Sequence, residues 1–342
     1  MFLENNLKKY IIKLFIYIVL IIVFSIFFIN KILLADKNTC IDKDCYETRI
    51  IKVLVLYDDE VFFEKDWENN LKNRFIEIND FYFSNFKIKW QIIAKKQFNF
   101  NKKINNLSNL FTFHKSQILN LNFNMDEEVI LSIIGREIKG NGIAGTFSNI
   151  VMITNLDNLL NYKSSVIIAH EFGHLFGAWH TQRMNDFMLF SGANNLVTSK
   201  ESSSILRLMR NYNFIPETIV NNDKVLNRIS RLYDRHHARG EINPVARLLT
   251  DYGNNFYLNQ QYNEALTILK KSIKYYGRWG KTRMILSKTY YELGNFNNAF
   301  TELTRAVFFG SQPDLEFENK LRNKFVDLQK LDPSINNPFI PN

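Results

Sequence analysis

One eleven-residue stretch, positions 170–180, holds residues that could bind a metal ion; it reads HEFGHLFGAWH. Residues four apart on a helix leave the same face about one turn from each other, so His170 and His174 can bind one ion. Glu171 points about 100° away, which suits a neighbour of metal-bound water better than a ligand. Gly177 can end the helix in a left-handed turn, after which His180 can supply a third ligand. Three imidazoles with one open position are typical of catalytic zinc, because a structural site would need a fourth protein ligand.

This stretch resembles the metzincin signature HExxHxxGxxH at every defined position. Metzincins also carry a methionine in a tight turn beneath the metal, and Met188 stands eight residues after His180, a spacing most like the matrixin branch. The resemblance implies a zinc endopeptidase that acts on a peptide or protein substrate. His170, His174 and His180 would then bind one catalytic Zn²⁺, and Glu171 would be the general base.

The elements that must position these residues can be predicted from hydrophobic periodicity. β-Branched apolar runs predict buried strands, and apolar residues at helical spacing predict amphipathic helices. The predicted strands are 49–57, 88–94, 129–134 and a kinked segment over 142–153, and the predicted helices are 62–84, 104–122 and 157–176. This order is the one expected of a metzincin, so we expect an α+β metzincin-type catalytic domain with a mixed twisted sheet over residues 49–213. A capping-box pattern at 198–201 predicts a last helix that runs to about Asn211.

The segment before the active-site helix has an expected role in substrate binding. In metzincins the strand before that helix is the sheet edge above the cleft, and extended substrate pairs with it as an added strand. By resemblance, substrate backbone would bind along Ile143, Ala144, Gly145, Thr146 and Phe147. An ordinary hairpin is the alternative for each of these residues.

An internal repeat follows a linker and helix at 214–243. Five aromatic, apolar or small residues recur 34 positions later: Tyr257, Tyr262, Ala265, Leu269 and Ser272 correspond to Tyr291, Phe296, Ala299, Leu303 and Ala306. This period resembles tetratricopeptide repeats, so residues 244–342 are predicted to form an all-α helical-repeat domain. Because two units are fewer than such stacks usually need, either helices at 223–238 and 316–330 cap them or the stack packs on the catalytic domain. The repeats are either a docking surface for a protein partner or a purely structural pair of helical hairpins.

The N-terminal region predicts export. Residues 10–30 are almost entirely apolar, which is long enough to cross a bilayer, and lysines precede them in a short cytoplasmic segment, 1–9. We therefore expect a retained transmembrane signal-anchor and a stalk at 31–48, with the catalytic domain outside the cytoplasm. A cleaved signal peptide and a secreted protein are the alternative. Cys40 and Cys45, the only cysteines, are either a disulfide or two free thiols.

Charge and composition limit the other functions. The formal net charge is +9, but the lysines are scattered and no basic tract is interleaved with aromatic residues, so a nucleic-acid partner is not expected. An interaction scaffold with a structural or vestigial zinc site is one alternative function, although such a site has no use for Glu171. An aminopeptidase of the archaemetzincin type is another, and it would need an acidic amine-binding group that the sequence does not locate.

Overall fold

Apolar, largely β-branched runs form a sheet at the centre of the fold. The computed structural model describes residues 47–62, 66–119, 128–136, 138–154, 163–189 and 192–340. The strands are β1 (Arg49–Tyr57), β2 (Ile88–Gln97), β3 (Val129–Ile134), β4 (Gly142–Ala144) and β5 (Ile150–Thr154). They form one sheet in the order β2-β1-β3-β5-β4, in which β4 is antiparallel to β5 and the other pairs are parallel. Every residue of β3 and β5 is buried, as expected for strands covered on both faces.

Helices cover both faces of this sheet and continue beyond it. The described helices are α1 (Asp59–Phe62), α2 (Trp67–Phe86), α3 (Leu107–Leu119), α4 (Lys163–Leu175), α5 (Lys200–Met209), α6 (Glu217–Val220), α7 (Asp223–Arg235), α8 (Pro244–Leu258), α9 (Tyr262–Tyr275), α10 (Gly280–Glu292), α11 (Phe296–Phe308) and α12 (Leu315–Leu331). Alternate residues of β1 enter different cores: Val53 and Val55 join the core that contains α2 and α4, whereas Leu54 and Leu56 join the one that contains α3. The sheet is therefore the middle layer of three.

Aromatic packing fixes α4, which carries the first two histidines. Phe172 on α4 stacks on Trp90 of β2, with ring centroids 3.9 Å apart and an interplanar angle of 22°. Tyr82 on α2 is fully buried, and its hydroxyl donates to the carbonyl of Ala169 at 2.8 Å. A buried hydroxyl needs such a partner. This bond therefore fixes both the position of α4 along α2 and the face of α4 that packs against it.

Most predicted elements agree with the structure, with shifted ends. The strands at 49–57 and 129–134 have the predicted bounds, and the strand predicted at 88–94 continues to Gln97. The kinked segment over 142–153 is a hairpin, because Gly145 accepts a turn bond from Ser148 and the chain then returns antiparallel as β5. α2 begins at Trp67 rather than at residue 62. The described part of the active-site helix begins at Lys163.

The internal repeat corresponds to two helical hairpins, α8–α9 and α10–α11. The second helices of the hairpins begin at Tyr262 and Phe296, 34 residues apart. Their corresponding residues are buried at the helix contacts: Ala265 and Ala299, Leu269 and Leu303, Ser272 and Ala306. α12 packs on α11 through Phe317, Leu321 and Phe325, as expected of a capping helix. The tetratricopeptide resemblance of these hairpins stays a prediction.

Contacts divide the chain into Met1–Thr48 and Arg49–Asn342, and every element above belongs to the second unit. The predicted transmembrane segment at 10–30 and the cysteines Cys40 and Cys45 lie outside the described residues. In the part of the chain that the structure describes, no helix is long and apolar enough to cross a bilayer.

Candidate metal centre

The end of α4 turns the chain so that a third histidine can join the first two. Gly177 has φ +82°, and its N–H donates to the carbonyl of His174 at 2.8 Å. The N–H of Ala178 reaches back to the carbonyl of Gly173 at 3.2 Å, so the helix ends in a Schellman-type turn. A Cβ at position 177 would lie 2.0 Å from the ring of Phe147. Glycine is therefore required here both by backbone conformation and by space.

The structure brings the three predicted histidines together. One potential ligand atom each from His170, His174 and His180 lies within 4.8 Å of the others. The ring centroids of His174 lie 4.8 Å from those of His170 and His180, and the latter two are 5.2 Å apart. In the described residues this is the one such group of three or more histidine, cysteine or carboxylate side chains. Three imidazoles with no fourth protein ligand fit a catalytic zinc ion.

Backbone carbonyls fix the tautomers of the first two histidines. Nδ1 of His170 lies 2.8 Å from the carbonyl oxygen of Phe187, and Nδ1 of His174 lies 2.7 Å from that of Ala178. A carbonyl can only accept, so each Nδ1 carries the proton and donates it. In a neutral ring Nε2 then holds the lone pair, which is the state a metal ligand requires.

A carboxylate holds the third histidine. Nδ1 of His180 lies 2.8 Å from Oε2 of Glu241, which is almost fully buried. Oε1 of Glu241 lies 3.4 Å from Nη2 of Arg247, and its backbone carbonyl accepts from the hydroxyl of Tyr233 at 2.6 Å. Sequence reasoning missed Glu241 because it lies 61 residues from His180 in a segment predicted to be a linker. No spacing or periodicity in the sequence indicates this contact.

The turn that carries Met188 packs against α4 next to the histidines. Met188 is fully buried, and a Cβ at Gly173 would lie 2.6 Å from its sulfur, so α4 and this turn are in close contact. Asp186, also fully buried, organises the turn: Oδ1 accepts from the N–H of Met188 at 3.1 Å, and Oδ2 accepts from the hydroxyls of Thr181 and Ser202. The next residue along, Phe187, supplies the carbonyl that holds His170. The turn therefore both packs against α4 and fixes the orientation of the His170 ring.

Burial dominates the electrostatics of the centre. It lowers the pKa of His170 to about 4, with a smaller contribution from His180, and it lowers the pKa of His174 well below its usual value. Both imidazoles are therefore neutral at physiological pH, as metal binding requires. Burial also raises the pKa of Glu171 to about 8. A nearby cation favours the ionised carboxylate and so opposes that shift.

Two cavities adjoin the centre, and Glu171 and His180 line both. The 210 Å³ cavity also includes Ile143, Ala144, Thr146 and Arg247, and the 360 Å³ cavity includes Val166, Ile167, Leu189 and Ala193. Glu171 approaches the start of β4 closely, since a Cβ at Gly142 would lie 2.8 Å from its Oε1. β4 is at the edge of the sheet, beside these cavities.

Two of the five residues expected to meet substrate have a different place. Gly145 is in the hairpin turn, where its N–H donates to the carbonyl of Ile150 at 3.4 Å. Phe147 is fully buried with φ +57°, its ring fills the space beside Gly177, and its carbonyl accepts from the hydroxyl of Tyr212 at 2.7 Å. Phe147 therefore supports the end of α4 from inside the core and does not line the cleft.

No family profile and no curated protein matches this chain. Among the solved structures that are similar to it, three each cover 49% of the chain with a low TM-score. They are a chaperone–substrate complex (12% identity, 35% of that chain, TM-score 0.39), archaemetzincin from Methanopyrus kandleri (11%, 99%, 0.37) and metalloproteinase-II from Bacteroides fragilis (17%, 55%, 0.34). The chain thus spans about a third of the first of these. Similarities this low do not assign the chain to a family.

Proposed function

We propose that this chain is a zinc-dependent endopeptidase. The observation that carries the proposal is the arrangement of three imidazoles held at Nδ1 with Glu171 beside them, at the edge of a cleft. Residues that only held a structural ion would not need a buried carboxylate that lines both cavities. The metzincin resemblance of positions 170–188 supports the same reaction class.

His170, His174 and His180 would hold the metal through Nε2. When bound, zinc would supply Lewis acidity at the scissile carbonyl and lower the pKa of its water toward ~7. Glu171 accepts a proton from the attacking water at its carboxylate and then returns that proton to the leaving amine. β4 orients the substrate, because its outer edge can pair with an extended peptide as an added strand.

The cleft favours an endopeptidase over an aminopeptidase. Two cavities adjoin the histidines, one lined by His174 and the other by His170, which offers room for substrate residues at more than one position. An aminopeptidase needs a carboxylate available to bind the substrate amine. Glu241 is an acidic residue in this cleft, but its two carboxylate oxygens already contact His180 and Arg247.

The test is the Glu171→Gln substitution in the full chain. The amide keeps the shape of the side chain but cannot accept the proton, so turnover of a broad peptide library should fall at least about 100-fold. Zinc content and thermal stability should be retained, and Glu264→Gln, on the exposed surface of α9, is the matched control. Peptides blocked at both ends should be cleaved as efficiently as peptides with free termini.

Three results would contradict the proposal. Turnover that survives Glu171→Gln unchanged would exclude the general-base role. A wild-type chain that binds zinc but cleaves no peptide in the library would instead favour the scaffold function. Cleavage confined to peptides with a free amino terminus would indicate an aminopeptidase.

A further inference from the structure

We propose that Glu241 is a positioning residue for the third metal ligand, so that a segment outside the predicted catalytic domain completes the metal centre. The inference uses the metal binding that the proposed function requires, but it does not depend on peptide hydrolysis.

His180 lacks the support that α4 gives to the other two ligands. His170 and His174 are on the helix, and their Nδ1 atoms donate to carbonyls of the Met188 turn and of the helix end. His180 follows the end of α4, and its side chain is 27% exposed. Its Nδ1 contact is with a side chain, Glu241, which no local element of the catalytic domain supplies.

The segment 236–247 contacts the backbone around His180 as well as its ring. The N–H of Ala238 donates to the carbonyl of His180 at 2.9 Å. The indole N–H of Trp179 donates to the carbonyl of His236 at 2.8 Å, and the Trp179 ring packs edge-on against Tyr233 at 5.6 Å. These contacts fix the position of His180, and Glu241 then fixes the rotation of its imidazole.

Glu241 is itself held in place. Arg247, on the first turn of α8, contacts one carboxylate oxygen, and Tyr233 on α7 donates to the backbone carbonyl. Asn243 anchors the start of α8, accepting from the N–H of Val245 at 2.9 Å and donating to the hydroxyl of Ser230 at 2.9 Å. Contacts with α7 and α8 therefore hold the Glu241 carboxylate in place against His180.

A carboxylate does more for a metal ligand than a carbonyl does. Both acceptors fix the Nδ1–H tautomer, but only the carboxylate brings a negative charge, which raises the basicity of the ligating nitrogen. Losing such a partner typically costs 10–100-fold in metal affinity. Of the three described contacts at Nδ1, only the one from Glu241 can be removed by substituting a side chain.

The experiment compares Glu241→Ala and Glu241→Gln with Glu302→Gln in the full chain. Glu302 is a matched control because it is similarly buried (7% exposed against 9%) and pairs with Arg283 and Arg305 in the repeats, away from the histidines. Zinc affinity is measured by competition with a chromophoric chelator, and thermal stability is measured on the zinc-free proteins. No peptide substrate is needed.

We expect Glu241→Ala to weaken zinc binding about 10–100-fold. Glu241→Gln should weaken it less, because the amide oxygen still accepts from Nδ1–H without the charge. Glu302→Gln should lower the melting temperature and leave zinc affinity unchanged. This difference separates a positioning role from a purely structural one.

Zinc affinity within twofold of wild type in Glu241→Ala would overturn the inference, and so would an equal loss of affinity in Glu302→Gln. If Glu241→Ala does not fold, Glu241→Gln decides, and unchanged affinity there is the overturning result. A wild-type chain that binds zinc but cleaves nothing would contradict the proposed function and leave this inference standing.

Discussion

Helix α4 and the segment 236–247 hold the three candidate metal ligands in different ways. His174 is held by Ala178, four residues away, and His170 by Phe187, 17 residues away, in both cases through a backbone carbonyl. His180 is held by a side chain 61 residues away. Two ligands therefore depend on local structure, which a motif can encode. The third depends on packing between distant parts of the chain.

The hydrophobic core extends across the predicted boundary between residues 213 and 214. The cluster that contains Phe172 and Leu175 of α4 also contains Tyr233 of α7 and Val245 and Leu249 of α8. The boundary predicted at 213/214 therefore marks a change in sequence pattern, whereas the side chains on its two sides pack in one core. Removing or perturbing α4 and the segment 236–247 separately would show how much each contributes.

The largest effect is expected from deletion of residues 244–342. The truncated chain keeps Glu241 but loses Arg247, and it also loses Val245 and Leu249 from the shared core. Each large core side chain removed typically costs 2–5 kcal/mol, comparable with the free energy of unfolding of a whole domain. We expect loss of cooperative thermal unfolding and of most bound zinc, measured by circular dichroism and metal analysis. A truncated chain with full zinc and a sharp transition would show that the centre does not need α8 or the helical hairpins.

A smaller, paired effect is expected from Gly177→Ala and Gly240→Ala. Both glycines have φ +82°, so the conformational cost of a Cβ, about 1–2 kcal/mol, is shared. At Gly177 the Cβ also meets the Phe147 ring, whereas at Gly240 nothing lies within 4 Å. Gly177→Ala should therefore cost roughly 1–3 kcal/mol more, from overpacking. Chemical denaturation of the two variants measures the difference, and equal costs would mean that the helix end relaxes freely.

The smallest effect concerns His114, a buried histidine on α3 that is not a ligand. Its Nε2 lies 2.7 Å from the Ser132 hydroxyl, and burial lowers its pKa to about 4. Between pH 6.5 and 4 the unfolded chain therefore binds a proton that the folded chain does not, so stability falls as pH falls through this window. The slope is at most about 1.4 kcal/mol per pH unit.

In His114→Phe the free energy of unfolding should fall less steeply as the pH is lowered. Ser132 then lacks its partner, which changes stability at every pH, so the test is the slope and not the absolute value. The unfolding free energy of both proteins is measured from pH 7 to 4.5, at pH values where zinc remains bound, so that the ligand histidines contribute equally. Parallel curves would show that His114 is protonated alike in the folded and unfolded states.

Local patterns predicted elements better than they predicted contacts. The helix after position 198 was predicted from a capping-box pattern, and the structure places its cap at Ser199, whose hydroxyl accepts from the N–H of Ser202. Glu201, the acidic member of the pattern, instead forms a two-pronged ion pair with Arg183. The strand pairing of β4 and the burial of Phe147 were likewise decided by neighbours that are remote in sequence.

The sequence by itself determined the candidate ligands on α4, the glycine that ends the helix and the 34-residue spacing of the helical hairpins. Those features depend on helix periodicity and on backbone conformations that only certain residues adopt, which are properties of short segments. Only the tertiary structure decided that Glu241 meets His180 and that α8 shares the core of the sheet. A buried carboxylate finds its partner through the packing of whole elements, and that packing is summed over many weak contacts which no local pattern records.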